Sequence, residues 1–211
     1  MDRIEFLTNF IYESERIAQL CSNYTQIKES LKNNKQVGHV GAILYLEKRS
    51  KEKELVLTEE DVKFVHELIF NEVHCRIKIT FSKYGKGGMY EEYRDLLGVL
   101  IGAPASLIPQ KMENLISTLN KHQSAFIQHK ETIDLEFISN FHYHFALISP
   151  FSSCNVLVNR ALLLYLLWYF EKTPFIIPMK EREEYLMAFQ TKNPQALSEY
   201  FEKKELEISK N

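Results

Sequence analysis

The sequence predicts a mainly α-helical domain with one small β-hairpin. Three observations carry that expectation. Apolar residues recur at three- and four-residue spacing through most of the chain, the pattern of helices with one buried face. Strict alternation of apolar and polar residues is confined to short stretches around residues 75–81 and 94–101. The apolar run 161–170, bracketed by Arg160 and Glu171, is about half the roughly twenty residues that a membrane span requires. It therefore reads as a central core helix, with Trp168 and its neighbours at the middle of the fold.

The elements follow in order. Ile4, Leu7, Phe10, Ile11, Ile17 and Leu20 fit one helical face. A turn near Tyr24 leads into a short helix with Thr25 as candidate N-cap. Residues 38–46 read as a helix despite Gly38 and Gly41, although their composition also suits a strand. Thr58-Glu59-Glu60-Asp61 is a helix start: the Thr58 hydroxyl caps free amides, and Asp61 falls at the third helical position. Val62, Val65, Leu68 and Ile69 then form an apolar stripe, with His66 among them as a core or half-buried residue.

The two alternating stretches are separated by Gly85, Gly87 and Gly88, which makes them the arms of a hairpin. Pro104 and Pro109 bracket a loop. Met112, Leu115, Ile116 and Leu119 mark a helix over 112–126, and further helices follow over 135–147, 156–170, 181–189 and 194–208, the last with Pro194 near its start.

The chain has 211 residues, enough for one domain with a proper core. Its 26 Lys and Arg against 28 Asp and Glu exclude a broad nucleic-acid surface. Three widely spaced cysteines, Cys21, Cys75 and Cys154, imply neither a disulfide framework nor a thiolate zinc site. A reducing compartment follows: the cytoplasm, or a host cytosol if the chain is delivered by a pathogen. No signal peptide, membrane span or metal site is expected.

The stretch between the helices at 135–147 and 156–170 carries most of the chemistry. One helix ends in Ser149-Pro150-Phe151, a short polar loop follows, and a strongly apolar helix starts at once. Such a start presents unpaired amides and the positive end of the helix dipole, and can hold a phosphate. Phe151 is placed to plug the loop into the core. Arg160, one turn into the helix, is placed to reach an anion at its mouth.

Here the chain resembles the Fic domain family, of the Fic, Doc and AvrB fold, whose loop reads His-Pro-Phe-x-(Asp/Glu)-Gly-Asn-Gly-Arg-x-x-Arg. The segment Ser149-Pro150-Phe151-Ser152-Ser153-Cys154-Asn155-Val156-Leu157-Val158-Asn159-Arg160 matches it at Pro150, Phe151, Asn155 and Arg160. Val65-His66-Glu67-Leu68 is similar to the family's Leu-His helix. Tyr93, Arg94, Val99 and Ile101 resemble the flap hairpin that holds a target peptide by main-chain pairing. The likeness implies three segments: residues 1–50 as helices similar to the family's inhibitory region, 51–180 as the core with flap and loop, and 181–211 as closing helices.

The resemblance implies transfer of AMP from ATP with Mg²⁺, a loop histidine taking the target hydroxyl's proton. Serine stands there, Ser149, and cannot act as a base near neutral pH. The metal-holding carboxylate is Ser153, a poor ligand for a hard cation. The two glycines are Cys154 and Val156, and the first arginine is Leu157. In the inhibitory-helix pattern, Ser14 is retained, but Ala18 stands where the glutamate should be; Glu13 and Glu15 are off phase. His144, and Cys154 at a helix start that lowers thiol pKa, are the remaining catalytic candidates. The expectation is therefore a degenerate Fic-fold protein that acts by binding a protein partner, with a second copy of itself as another candidate. The alternative is a divergent enzyme on a nucleotide or other phosphate ligand. No cofactor is assigned; ATP or another nucleotide is the ligand the resemblance implies.

Overall fold

The computed structural model describes residues 2–77 and 102–209, with side chains described outside residues 74–77. Among these residues there are nine α-helices: α1 (Arg3–Ile17), α2 (Tyr24–Lys32), α3 (Gly38–Lys51), α4 (Glu59–Ile77), α5 (Ile108–Ile127), α6 (Leu135–Ile148), α7 (Asn155–Tyr169), α8 (Arg182–Gln190) and α9 (Pro194–Ser209). Short 3-10 turns at Ala105–Leu107 and Met179–Glu181 lead into α5 and α8.

Helix α7 is the axis of the fold. Its residues from Leu157 to Leu167 are all buried, and α1, α3, α4 and α6 pack around it. A helix apolar all round has this central position as its stable solution in a water-soluble fold. Trp168, expected at the centre, is only half-buried; fully buried Tyr165 and Tyr169 fill the space instead. Side chains from all three sequence segments join a single apolar core.

Several local signals act as the residues dictate. Thr58 Oγ1 accepts from Asp61 N at 3.1 Å while Asp61 Oδ2 accepts from Thr58 N at 2.8 Å, a reciprocal cap at the start of α4. Residues 38–46 are helical, within α3. Gly38 adopts a φ of +64°, and a Cβ there would lie 2.0 Å from Glu72 Oε2, so only glycine suits this helix start. That same carboxylate accepts from His39 N at 2.7 Å, giving α3 a cap borrowed from α4.

Two expectations are corrected. Asn23, not Thr25, caps α2, accepting from Gln26 N at 3.0 Å. Residues 75–77 continue α4 and are not strand. The rest of the expected hairpin, with Tyr93, Arg94, Val99 and Ile101, lies outside the described residues.

Helix ends explain why the boundaries were hard to read. Besides α6, which ends at Ser149, five helices close with a left-handed residue that is not glycine: Gln19, Asn34, His129, Glu171 and Lys192. Each is followed by an amide that reaches back to the last turn, as in Leu20 N to Glu15 O at 2.9 Å and Lys130 N to Ala125 O at 3.0 Å. An L-residue pays about 1 kcal/mol or more for that conformation, and glycine returns part of it as lost chain entropy. Replacing Gln19, His129 and Lys192 together with glycine is therefore expected to stabilise the protein by roughly 1.5–3 kcal/mol. A melting curve should show Tm rising by roughly 3–12 °C; an unchanged or lower Tm refutes the strain argument.

Candidate functional site

The loop between α6 and α7 is held by its own residues. Helix α6 ends at Ser149, whose φ of 44° turns the chain left-handed. The Ser149 hydroxyl donates to Ala146 O at 2.6 Å, and its amide donates to Phe145 O at 2.9 Å. Both its polar groups thus close the helix, and the residue is buried. Pro150 is buried beside it.

Phe151 is fully buried and lies face to face with His66 of α4, ring centroids 3.8 Å apart and planes 4° from parallel. Its backbone is clasped by Asn155. Phe151 N donates to Asn155 Oδ1 at 3.0 Å, and Asn155 Nδ2 donates back to Phe151 O at 2.6 Å. The Asn155 amide is thus engaged in shaping the loop.

Ser153 and Cys154 follow, both half-buried. Ser153 Oγ lies 3.7 Å from Cys154 Sγ. Cys154 precedes α7 with a φ of 60° and gives the helix no side-chain cap. Its thiol differs from the sequence expectation: burial pushes it up to about 11, against the lowering expected from the helix start. A thiol so placed stays protonated near neutral pH and is a weak nucleophile.

Beyond the loop, Val156 points outward and Leu157 enters the core. Arg160 is fully buried. Its Nη2 donates to Ile177 O at 3.0 Å, and its guanidinium carbon sits 5.8 Å from the centre of the Tyr185 ring. Nε and Nη1 have no hydrogen-bond partner among the described residues. Burial lowers its pKa to about 10, partly offset by Tyr185, Tyr200 and Glu13, so it remains a cation at neutral pH. The carboxylate that acts on it is Glu13 of α1, one of the two residues that the inhibitory-helix pattern puts off phase. Glu13 Oε2 also accepts from Met179 N at 2.5 Å, and Arg16 pairs with its other oxygen at 3.1 Å. Glu15 instead pairs with buried His39 and with Ser22.

Sequence reasoning missed a buried polar cluster behind the loop. His142 of α6 is fully buried, with Nε2 2.6 Å from Tyr185 Oη. Its carbonyl accepts from Asn159 Nδ2 at 2.9 Å. Burial, and next the Arg160 cation, depress the imidazole to about 3, so it is neutral at physiological pH. Tyr185 is pushed up to about 12 by the same burial. A signal existed: His142 is four residues after Ile138 and three before Phe145, on the core face of α6. His144, a catalytic candidate from the sequence, is exposed on that helix and lines a groove against α5.

Chemically, the loop offers free amides at the start of α7 and a buried cation one turn below. It offers hydroxyls at positions 149 and 153, where the resemblance calls for a base and a carboxylate. That donor set does not fit Mg²⁺, which takes carboxylate and phosphate oxygens.

No family model matches the chain, and no curated protein sequence matches it. Solved structures do. A Fic-domain-containing signalling protein from Bacteroides thetaiotaomicron superposes with a TM-score of 0.77 at 18% identity, over 97% of this chain and 85% of the other. Fic-1 of C. elegans, residues 134–508, gives 0.74 at 18% identity, over 100% and 63%. A Fic family protein from Desulfovibrio desulfuricans gives 0.60 at 17% identity, over 98% and 65%. The chain thus spans less than two thirds of the last two structures. Among the described residues, no helix is long and apolar enough to cross a membrane.

Proposed function

We propose that this chain, which has the fold of Fic-domain proteins, does not perform the AMP transfer that its loop resemblance implies and acts by binding a protein partner. The observation that carries the reading is the state of Ser149. A base that takes a proton from an incoming hydroxyl must hold a free lone pair at the site and titrate near neutral pH. Ser149 cannot serve: a hydroxyl does not titrate near neutral pH, and this one is buried with its hydrogen donated to Ala146 O. Cys154 is held as a protonated thiol. Asn155 is engaged with Phe151, and Arg160 donates to Ile177 O.

Incubation with ATP labelled in its α-phosphate, Mg²⁺ and a cell lysate is expected to leave every protein unlabelled, the chain itself included. Labelling that disappears in Arg160→Ala overturns the reading.

The start of α7, uncapped by any side chain, favours a second reading in which the loop still binds a nucleotide or other phosphate ligand. Calorimetry with ATP, with and without Mg²⁺, separates the two. Micromolar binding that weakens in Arg160→Ala supports a surviving phosphate site. Absence of heat up to millimolar ATP leaves partner binding alone.

A further inference from the structure

Away from the loop, α5 and α6 enclose a groove of about 400 Å³. The pattern of the two helices builds it. On α5, Lys111, Asn114, Leu115 and Thr118 recur at three- and four-residue spacing along one stripe. On α6, His144, Leu147 and Ile148 do the same over the last turn before Ser149. Leu115, Leu147 and Ile148 supply an apolar floor. Lys111, Asn114, Thr118 and His144 supply the polar walls.

The one formal charge on the walls is the Lys111 ammonium. Each of the four polar side chains carries a hydrogen-bond donor: an ammonium, an amide, a hydroxyl and an imidazole N–H. Among the described residues, no carboxylate lines the groove. No hydrogen bond or ion pair engages these four side chains among the described residues, so the donors are not answered from within the fold. A second cavity, of about 790 Å³ between the start of α4 and α5, is different. There Glu59 and Glu113 stand with Lys121 and Lys130, so the charges compensate locally.

We propose that the α5/α6 groove docks a partner-protein segment with apolar side chains flanked by aspartate or glutamate. This deepens the binding reading above, on which it rests, by assigning it a surface and a partner chemistry. The volume lies in the range of roughly 300–1,000 Å³ typical of ligand clefts. Lys111 to Thr118 spans about 10 Å of helix, the length of roughly three residues of extended chain. The apolar floor takes the side chains of such a segment, and the donors at the walls take its carboxylates. Complementary charge of this kind selects the partner and speeds encounter.

The test is fluorescence anisotropy with three labelled peptides: Glu-Leu-Asp-Leu-Glu, Lys-Leu-Lys-Leu-Lys and Glu-Ser-Asp-Ser-Glu. The first is expected to bind at least tenfold more tightly than the others, and more weakly as salt is raised. Lys111→Glu should weaken it at least tenfold, and Leu147→Asp likewise. Lys121→Glu, on the second cavity, should change it less than twofold. Equal binding of all three peptides, no binding of the first, or indifference to Lys111→Glu overturns the proposal. Circular dichroism of each variant confirms that it is folded. The assay holds no nucleotide, so its failure removes the groove and leaves the reading of the loop standing. AMP transfer in the labelling experiment removes that reading and leaves the groove.

Discussion

Between pH 6.5 and pH 3 the protein is expected to lose about 4 kcal/mol of stability through one side chain, His142. The direction follows from its surroundings. In the folded state burial and the Arg160 cation hold the imidazole neutral down to about 3, whereas the unfolded chain binds the proton near 6.5. Below 6.5 the unfolded state therefore carries the extra proton, and stability falls as pH falls. The contribution is fully present above 6.5 and exhausted once the pH has passed through the folded value. Arg160 makes the acid form worse, because a second cation would then share the site, and among the described residues no carboxylate bonds to the imidazole.

Urea denaturation at a series of pH values reads this directly. His142→Phe keeps the aromatic packing against Phe189 and Phe201 and removes the titration. Its stability should decline more shallowly than wild type by several kcal/mol across the window. Parallel decline of the two curves refutes the assignment.

The second large effect is expected from Phe151→Ala, a loss of about 3–5 kcal/mol. The ring is the loop's buried anchor, and its removal leaves a cavity against His66. The Asn155 clasp on the Phe151 backbone survives the substitution, so the loop cannot collapse freely to fill the void. Chemical denaturation measures the loss, and Phe151→Leu, which refills part of the volume, should recover about half of it. A cost below about 1 kcal/mol means that the loop is held by Asn155 alone.

The helical architecture was legible because burial on one face leaves a period of three to four in the residues themselves, as with Leu7, Phe10, Ile11 and Ile17. The missed boundaries have physical causes. Arg76-Ile77 satisfies a strand pattern and a helix pattern equally over so short a run, and α4 extends through it. Asn23 caps α2 where Thr25 offered the same chemistry two residues later. Left-handed helix ends occupied by Gln19, His129, Glu171 and Lys192 carry no glycine to announce them.

The loop was legible as a motif, yet the environment of each side chain was not. Whether Arg160 faces the helix mouth or the interior depends on the Ile177 carbonyl and the Tyr185 ring, both brought to it by tertiary packing. For Cys154, position along the helix and burial act in opposite directions, and only the folded chain reveals that burial wins.

Two hydrogen bonds from α1 close very long loops. Glu13 meets Met179 across 166 residues, and Ile17 O accepts from Arg182 across 165. Closing a loop of that size costs entropy that no local contact repays, so these bonds form after the intervening helices have assembled. Helix α1, synthesised before the other described helices, is thus locked into place late. Until residues near 180 have been synthesised, α1 waits without this seat, its Leu7, Phe10 and Ile11 face still lacking part of its native cover. Native-state hydrogen exchange should find α1 amides released in a partial opening of lower free energy than that of α7.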